Sequence, residues 1–281
     1  MSSNKNYDIF IIINYLENIL KISIFSIFIL TIYNLSLYAD NTKLDQIIKN
    51  NELKVCIWPQ YYGISYIDKR TQKLTGIDSD LAVELAKYLK VKLIYIQSSF
   101  PTLINDIKND KCDIAMFAIG NTEKRREQMR FTSAHLQSDI YAITSKTNKK
   151  INSWKDIDQE GIIIAVAKGT YHEPIMKSKI KNAKLLMIDD FKNREDEVQS
   201  GRADVFIADY PYSVKMINKT SWAKIISPKK EFHLTPYAWT MTYGNEDFYN
   251  IVEKFIKDIK EDGRLKELAI KNGLEPIVKL D

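Results

Sequence analysis

Six short apolar, β-branched runs recur along the chain with amphipathic segments between them: KVCIW (54–58), KLIYI (92–96), DIAMFAI (113–119), IIIAVA (162–167), KLLMI (184–188) and DVFIAD (204–209). A strand that reads apolar at nearly every position has no face to give to water. Such strands, alternating with helical segments, therefore point to parallel sheets covered on both sides. Between the first two runs, Leu81, Leu85, Tyr88 and Leu89 fall at helical spacing behind Asp78 and Asp80, two residues suited to a helix N-terminus. The unit is βαβ.

The pattern breaks and restarts. Residues 144–160, TSKTNKKINSWKDIDQE, are polar with scattered apolar residues, and a second β-rich series opens at Ile162, so two α/β lobes are the economical reading. Near the C-terminus, Phe248, Ile251, Val252, Phe255, Ile256 and Ile259 form a continuous helical stripe that Asp262-Gly263 ends, and a shorter helix closes near Gly273. The chain has 281 residues, 45% hydrophobic and 27% charged, which excludes a disordered or collagen-like chain. Its formal charge of +5 is spread along the sequence, so nucleic acid is not an expected partner.

The N-terminus is a separate problem. Residues 22–39, ISIFSIFILTIYNLSLYA, carry no charge and follow Lys21, the layout of a secretory apolar core behind a basic residue. Cleavage is expected after Ala39, although Leu37 is large for that site. The apolar stretch Ile9 to Ile13 and the charges of Asp8 and Glu17 leave an uncleaved anchor as the alternative. With no cysteine near residue 40, export without a lipid anchor is expected. Cys56 and Cys112, each beside an apparent strand, are expected as two free, buried thiols rather than a disulfide.

Several chemistries find no support in the residues. His135, His172 and His233 lie far apart and form no metal-binding spacing, and neither a G-x-S-x-G elbow nor a phosphate-binding glycine loop occurs. No metal, cofactor or catalytic residue is expected. Polar residues at strand ends remain. Asp209 closes DVFIAD, and Arg125 stands six residues beyond DIAMFAI; ligands of open parallel sheets collect at the carboxyl ends of strands. Taken alone, Asp209 also reads as the cap of a helix starting at Tyr210, and Arg125 as a solvated charge. The loop WPQYYGISY (58–66) holds Trp58, Tyr61, Tyr62 and Tyr66, which suit either packing or a ligand platform.

Seven segments in order carry a resemblance: LKVCI, LTGIDSDLAVELAK (74–87), LINDIKNDKCDIAM (103–116), NTEKRREQMRFT (121–132), VAKGTYHE (166–173), SGRADVFIAD (200–209) and EDGRLKELAIKNG (261–273). Together they resemble the extracellular solute-binding proteins, family 3, of polar amino-acid ABC transporters, similar to histidine-, glutamine- and lysine/arginine/ornithine-binding proteins. The resemblance implies a two-lobed α/β fold of the type II periplasmic-binding-protein class, each lobe a mainly parallel sheet flanked by helices. Residues 1–39 would be leader or anchor, 40–138 and 238–281 the first lobe, and 139–237 the second. Two crossing segments, near Ser138 to Tyr141 and Pro236 to Trp239, would form the hinge.

The resemblance also implies roles. Arg125 matches the arginine that grips the α-carboxylate of an amino acid through two parallel hydrogen bonds. Asp209 matches the carboxylate that takes the α-ammonium, Thr170 a second contact to the carboxylate, and Tyr62 and Tyr66 the rings that cover the ligand side chain. Gly120 and Ala118 stand where the family commonly has hydroxyl residues, leaving backbone groups to bond the ligand, and Trp58 replaces a smaller residue and would reshape the pocket. The implied protein is a monomeric, periplasmic, non-enzymatic receptor whose partners are a small amino-acid ligand and a membrane permease. Two alternatives share the fold: an exported cyclohexadienyl dehydratase acting on prephenate or arogenate, with Glu173 or His172 as general acid, and the ligand-sensing module of a signalling system.

Overall fold

The structure, a computed structural model, describes residues 42–281. The expected leader, its cleavage after Ala39 and the alternative anchor lie outside the described residues. In chain order the strands are β1 (Glu52–Ile57), β2 (Gln60–Tyr61), β3 (Ser65–Ile67), β4 (Leu74–Thr75), β5 (Lys92–Gln97), β6 (Ile114–Gly120) and β7 (Arg130–Phe131). There follow β8 (Leu136–Ser138), β9 (Ile140–Ser145), β10 (Ile163–Ala167), β11 (Lys184–Ile188), β12 (Val205–Asp209), β13 (Ala223–Ile226) and β14 (Thr235–Met241). They make two principal sheets. The first runs β5–β1–β6–β14–β7 with β8 also on β14, the second β11–β10–β12–β9–β13, and β2, β3 and β4 form a small sheet of their own.

Each principal sheet is mixed. The strands legible as apolar runs, β5–β1–β6 and β11–β10–β12, pair in parallel, as crossover helices require. The strands that link the lobes, β14 in the first sheet and β9 in the second, add antiparallel pairs. The chain passes from one sheet to the other at Asp139, between β8 and β9, and returns between β13 and β14. The polar stretch 144–160 thus joins β9 to β10 within the second sheet's half of the molecule. Asp139 ties the two passages together, accepting hydrogen bonds from the backbone N–H of Phe232 (2.9 Å) and of His233 (2.8 Å).

The helices bury the faces their periodicity predicts. Ile77–Leu89 turns Leu81, Leu85 and Leu89 inward, and Glu246–Glu261 buries Phe248, Val252, Phe255, Ile256 and Ile259. Each such side chain contributes about 1.5–3 kcal/mol of hydrophobic stabilisation. The first of these helices starts against the small sheet at Gly76, where φ is 124° and an added Cβ would lie 2.4 Å from the Ile64 backbone, so no other residue fits.

Asp78 and Asp80 occupy the first turn of that helix, but neither caps it. Asp80 bonds Lys271 and Asn272. Asp78 is fully buried and accepts from the His135 ring (Nε2, 2.9 Å), the Trp239 indole (2.9 Å) and the Ala118 N–H (2.6 Å). Ala118 sits inside β6 at φ 49°, a left-handed conformation that costs an alanine about 1–2 kcal/mol. Its bond to Asp78 holds it there, beside a register shift between β6 and β14. Asp78→Asn replaces one carboxylate oxygen with an amide that cannot accept, and is expected to destabilise the protein by about 1–3 kcal/mol, read from urea unfolding. An unchanged midpoint would mean that the network is not stabilising.

Cys56 and Cys112 are joined in a disulfide with Cα atoms 5.5 Å apart, in place of the two free thiols expected from sequence. The reason is topological. Parallel pairing of Val55 with Ile114 and Cys56 with Ala115 brings the chain entering β6 alongside β1, an apposition that a separation of 56 residues conceals.

Candidate functional site

Three strands end at the boundary between the lobes, and each delivers one of the polar residues expected there. β6 ends at Gly120, and Thr122 opens the short helix Glu123–Arg126 that carries Arg125. β10 ends at Ala167, followed by Gly169, Thr170 and the helix His172–Lys179. β12 ends at Asp209, which caps the helix Tyr210–Lys219 by accepting from the Tyr212 N–H at 3.2 Å. The capping role read from sequence is therefore real, and it uses only one of the two carboxylate oxygens.

The other oxygen of Asp209 faces the opposite lobe. It accepts from the hydroxyls of Tyr61 and Tyr237, the latter at 2.8 Å. Burial raises the pKa of Asp209, and the hydroxyl and N–H donors pull it back. Burial, then the neighbouring Asp209 carboxylate, holds Tyr61 and Tyr237 well above the usual phenol range, so both remain donors.

Arg125 is also buried, and it too spans the boundary. Its guanidinium donates to the carbonyls of Gly120 and of Gly169, each at 3.1 Å, and lies 5.5 Å from the Phe100 ring centre. Loss of water brings its pKa down to about 10, against which the surrounding tyrosines act. It remains a cation at neutral pH, bonded to neutral oxygens. Tyr171 and Tyr237 complete the crossing contacts with a hydroxyl pair at 3.0 Å.

The space is divided. An open cleft of about 780 Å³ is lined by Arg125, Phe100, Asn121, Thr170, Tyr171 and Pro236 among others. Behind it lies a cavity of about 10 Å³ that Tyr61, Asp209, Arg194 and His172 line together with Thr170 and Tyr171. Arg125 and Asp209 thus approach one boundary from opposite lobes but line different spaces, with Thr170, Tyr171 and Phe100 common to both. The Thr170 hydroxyl donates to the Ala167 carbonyl at 2.8 Å.

The aromatic loop is sorted by strand alternation. Gln60 pairs with Tyr66 and Tyr61 with Ser65, so Tyr61 and Tyr66 fall on opposite faces of the β2–β3 hairpin. Tyr61 turns to Asp209. Tyr62 and Tyr66, expected over the ligand side chain, pack on each other at 4.9 Å and line neither the cleft nor the cavity. Trp58 is buried against Phe191 of the other lobe (4.7 Å), Phe100 (5.2 Å) and Tyr61 (5.5 Å), one layer behind both spaces. At Gly120 a Cβ would come within 3.1 Å of the Tyr171 ring, so the missing hydroxyl side chain matches a space that Tyr171 fills.

Tyr171, Tyr237 and Phe100 do not stand out in the sequence, and the places of two further residues could not be read from it. Tyr61 was one of four rings in a loop, and only the hairpin register separates it from its neighbours. Arg194 lies in NREDEVQ, a charged helix that reads as surface, yet it is fully buried. Its Nε donates to the Phe191 carbonyl (3.0 Å) and Nη1 to that of Ile207 (2.6 Å), and its guanidinium stacks 3.5 Å from the Phe191 ring.

The chain and its fold have known relatives. The chain is 26% identical over 235 residues to the cyclohexadienyl dehydratase of Pseudomonas aeruginosa, covering 83% of this chain and 86% of that protein. It is 30% identical over 176 residues to a probable histidine-binding protein of Campylobacter jejuni, covering 61% and 67%. Among solved structures, an ancestral amino acid-binding protein that is a precursor of cyclohexadienyl dehydratase superposes with a TM-score of 0.75 at 28% identity, covering 82% of this chain and 99% of that one. The putative binding component of an ABC transporter from Wolinella succinogenes, complexed with lysine, gives 0.72 at 28%, covering 79% and 95%. The two solved structures are periplasmic binding proteins of the type II class, and the fold of this chain is theirs. Residues 53–274 match the model of the bacterial extracellular solute-binding proteins, family 3, and the chain belongs to that family.

Proposed function

We propose that the protein is a periplasmic receptor that closes its two lobes over an amino acid or similar small zwitterion and presents the closed form to an ABC transporter permease, acting as a monomer. One observation carries the reading: a buried cation, Arg125, and a buried anion, Asp209, stand at strand ends of opposite lobes, so that a zwitterion satisfies both only when the lobes meet. In this reading Arg125 takes the α-carboxylate with Thr170, Asp209 takes the α-ammonium, and backbone groups at Ala118 and Gly120 complete the set. The cavity beside Asp209, about 10 Å³, holds no more than a water-sized group. Entry of ligand therefore requires Tyr61 and Tyr237 to release Asp209, with two passages acting as the hinge. The one expected near Ser138 to Tyr141 is at Asp139, and the one expected near Pro236 to Trp239 falls at residues 227–234, because 235–241 form β14 of the first sheet.

The dehydratase reading keeps one supporting observation, the likeness to the Pseudomonas aeruginosa enzyme. The two residues expected as its general acid do not suit that role. Glu173 is paired with Lys177 at 2.6 Å and accepts the Gly169 N–H, contacts that hold its carboxyl below the usual range, so it is ionised. Burial holds His172 well below the usual imidazole value, so at neutral pH it lacks the imidazolium proton that a general acid would give.

A thermal-shift screen of the purified protein against the twenty amino acids, ornithine, citrulline and prephenate separates the readings. A ligand at about 100 times its dissociation constant stabilises by about 2.7 kcal/mol. One or two amino-acid responses are expected. Silence to all of them with a response to prephenate, followed by its turnover, would replace the receptor with the enzyme.

A further inference from the structure

Arg194 is a second buried cation at the site, and among the described residues no carboxylate bonds it directly, although Asp209 and Glu195 act on it from a distance. Its three bonding directions are unequal: Nε and Nη1 reach the carbonyls of Phe191 and Ile207, while Nη2, fully buried, has no hydrogen-bond partner among the described residues. The guanidinium that carries this free N–H group lines the small cavity together with Asp209 and Tyr61. Its nearest acidic neighbour in sequence, Glu195, is spent elsewhere, bonded to Lys215 at 2.7 Å and to the Tyr212 hydroxyl. Asp209 is shared among Tyr61, Tyr237 and the Tyr212 N–H.

An arginine could be buried here for packing alone, since Phe191, Tyr212 and Phe206 surround it at 3.5, 4.6 and 5.2 Å. Stacking satisfies the faces of a guanidinium and leaves its in-plane donors unsatisfied. A buried donor without an acceptor, on a full positive charge, is costly unless something else completes it. Burial lowers the pKa of Arg194 from the usual arginine value, against which Tyr212, Asp209 and Glu195 act.

We infer that Arg194 binds a second anionic group of the ligand, so that the cargo is a dicarboxylic amino acid or a small dicarboxylate rather than a neutral or cationic amino acid. This deepens the receptor reading and rests on it. The charges lining the cleft and the cavity are Arg125, Arg194, Lys124 and Lys177 against Asp209, Glu123 and Glu173, four positive and three negative, with His172 neutral. A zwitterion leaves one positive charge in excess. A ligand with one further carboxylate brings the sum to zero, and it places that carboxylate where Nη2 has nothing to bond. Lysine or arginine would raise the excess to two.

The test is calorimetric titration of the purified protein with glutamate, aspartate, glutamine, asparagine, lysine, arginine and glutarate, repeated with Arg194→Gln and Arg194→Lys. The unmutated protein is expected to bind an acidic amino acid about tenfold or more tighter than its amide. Arg194→Gln is expected to bring that ratio close to one, and Arg194→Lys to keep its direction. Tighter binding of an amide or of lysine by the unmutated protein overturns this inference while leaving the receptor in place. So does an acidic preference that survives Arg194→Gln. Binding of glutarate alone supports Arg194 and removes the amino-acid reading, and binding of none of these ligands removes both. Should Arg194→Gln fail to fold, the acid-to-amide ratio of the unmutated protein decides by itself.

Discussion

Arg125→Ala is expected to lower affinity for the ligand identified by the thermal-shift screen by about two to three orders of magnitude and to leave the protein folded. The guanidinium is buried and spans the lobes, with two donors on the carbonyls of Gly120 and Gly169. In the receptor reading those donors turn to the ligand carboxylate. Truncating one partner of a desolvated, charge-assisted pair costs about 2–5 kcal/mol, because the other charge is left buried and alone. Circular dichroism and calorimetry together check the result. Arg125→Lys keeps the charge but loses the two-pronged geometry, and should recover part of the affinity. Micromolar binding retained by Arg125→Ala, in a folded protein, would reduce Arg125 to a lobe-to-lobe tie.

Reducing the Cys56–Cys112 disulfide is expected to destabilise the protein by about 4 kcal/mol. The bridge closes a loop of 56 residues, and chain entropy removed from the unfolded state grows with the logarithm of loop length. For a chain of this size the loss corresponds to a drop in melting temperature of roughly 8–16 °C. Scanning calorimetry with and without dithiothreitol, and of the Cys56→Ala/Cys112→Ala pair, measures it. Both cysteines are buried between β1 and the chain entering β6, so the reduced pair also has to repack. Equal melting temperatures in the two conditions would mean that the bridge contributes nothing.

Much of the scaffold was legible in the sequence because it rests on short-range physics. The six apolar runs fall on β1, β5, β6, β10, β11 and β12, and the C-terminal stripe falls on Glu246–Glu261, with only Ile251 of its six residues partly exposed. Strand and helix periods are properties of neighbouring residues, and burial follows from them. The strands that join the lobes were not read as runs. Thr235–Met241, TPYAWTM, mixes Pro and Thr with its apolar residues, and its pairing with β6 crosses more than a hundred positions.

Chemistry at the site divides in the same way. Arg125 and Asp209 stand out by their place at or just beyond strand ends, which order along the chain determines, while Thr170 and the roles of all three come from the family resemblance. Asp209 as a helix cap was likewise written in the residues around it. Only the tertiary structure decided that Tyr61, rather than Tyr62 or Tyr66, meets Asp209, because the hairpin register alone decides which ring faces inward. It alone decided that the Arg194 of a charged helix is buried among aromatic rings, and that Cys56 and Cys112 meet. Sequence by itself determined the apolar strands, the amphipathic helices and which polar groups stand at their ends, since these depend on neighbours along the chain. Which of those groups face one another depends on how the sheets and lobes close in space.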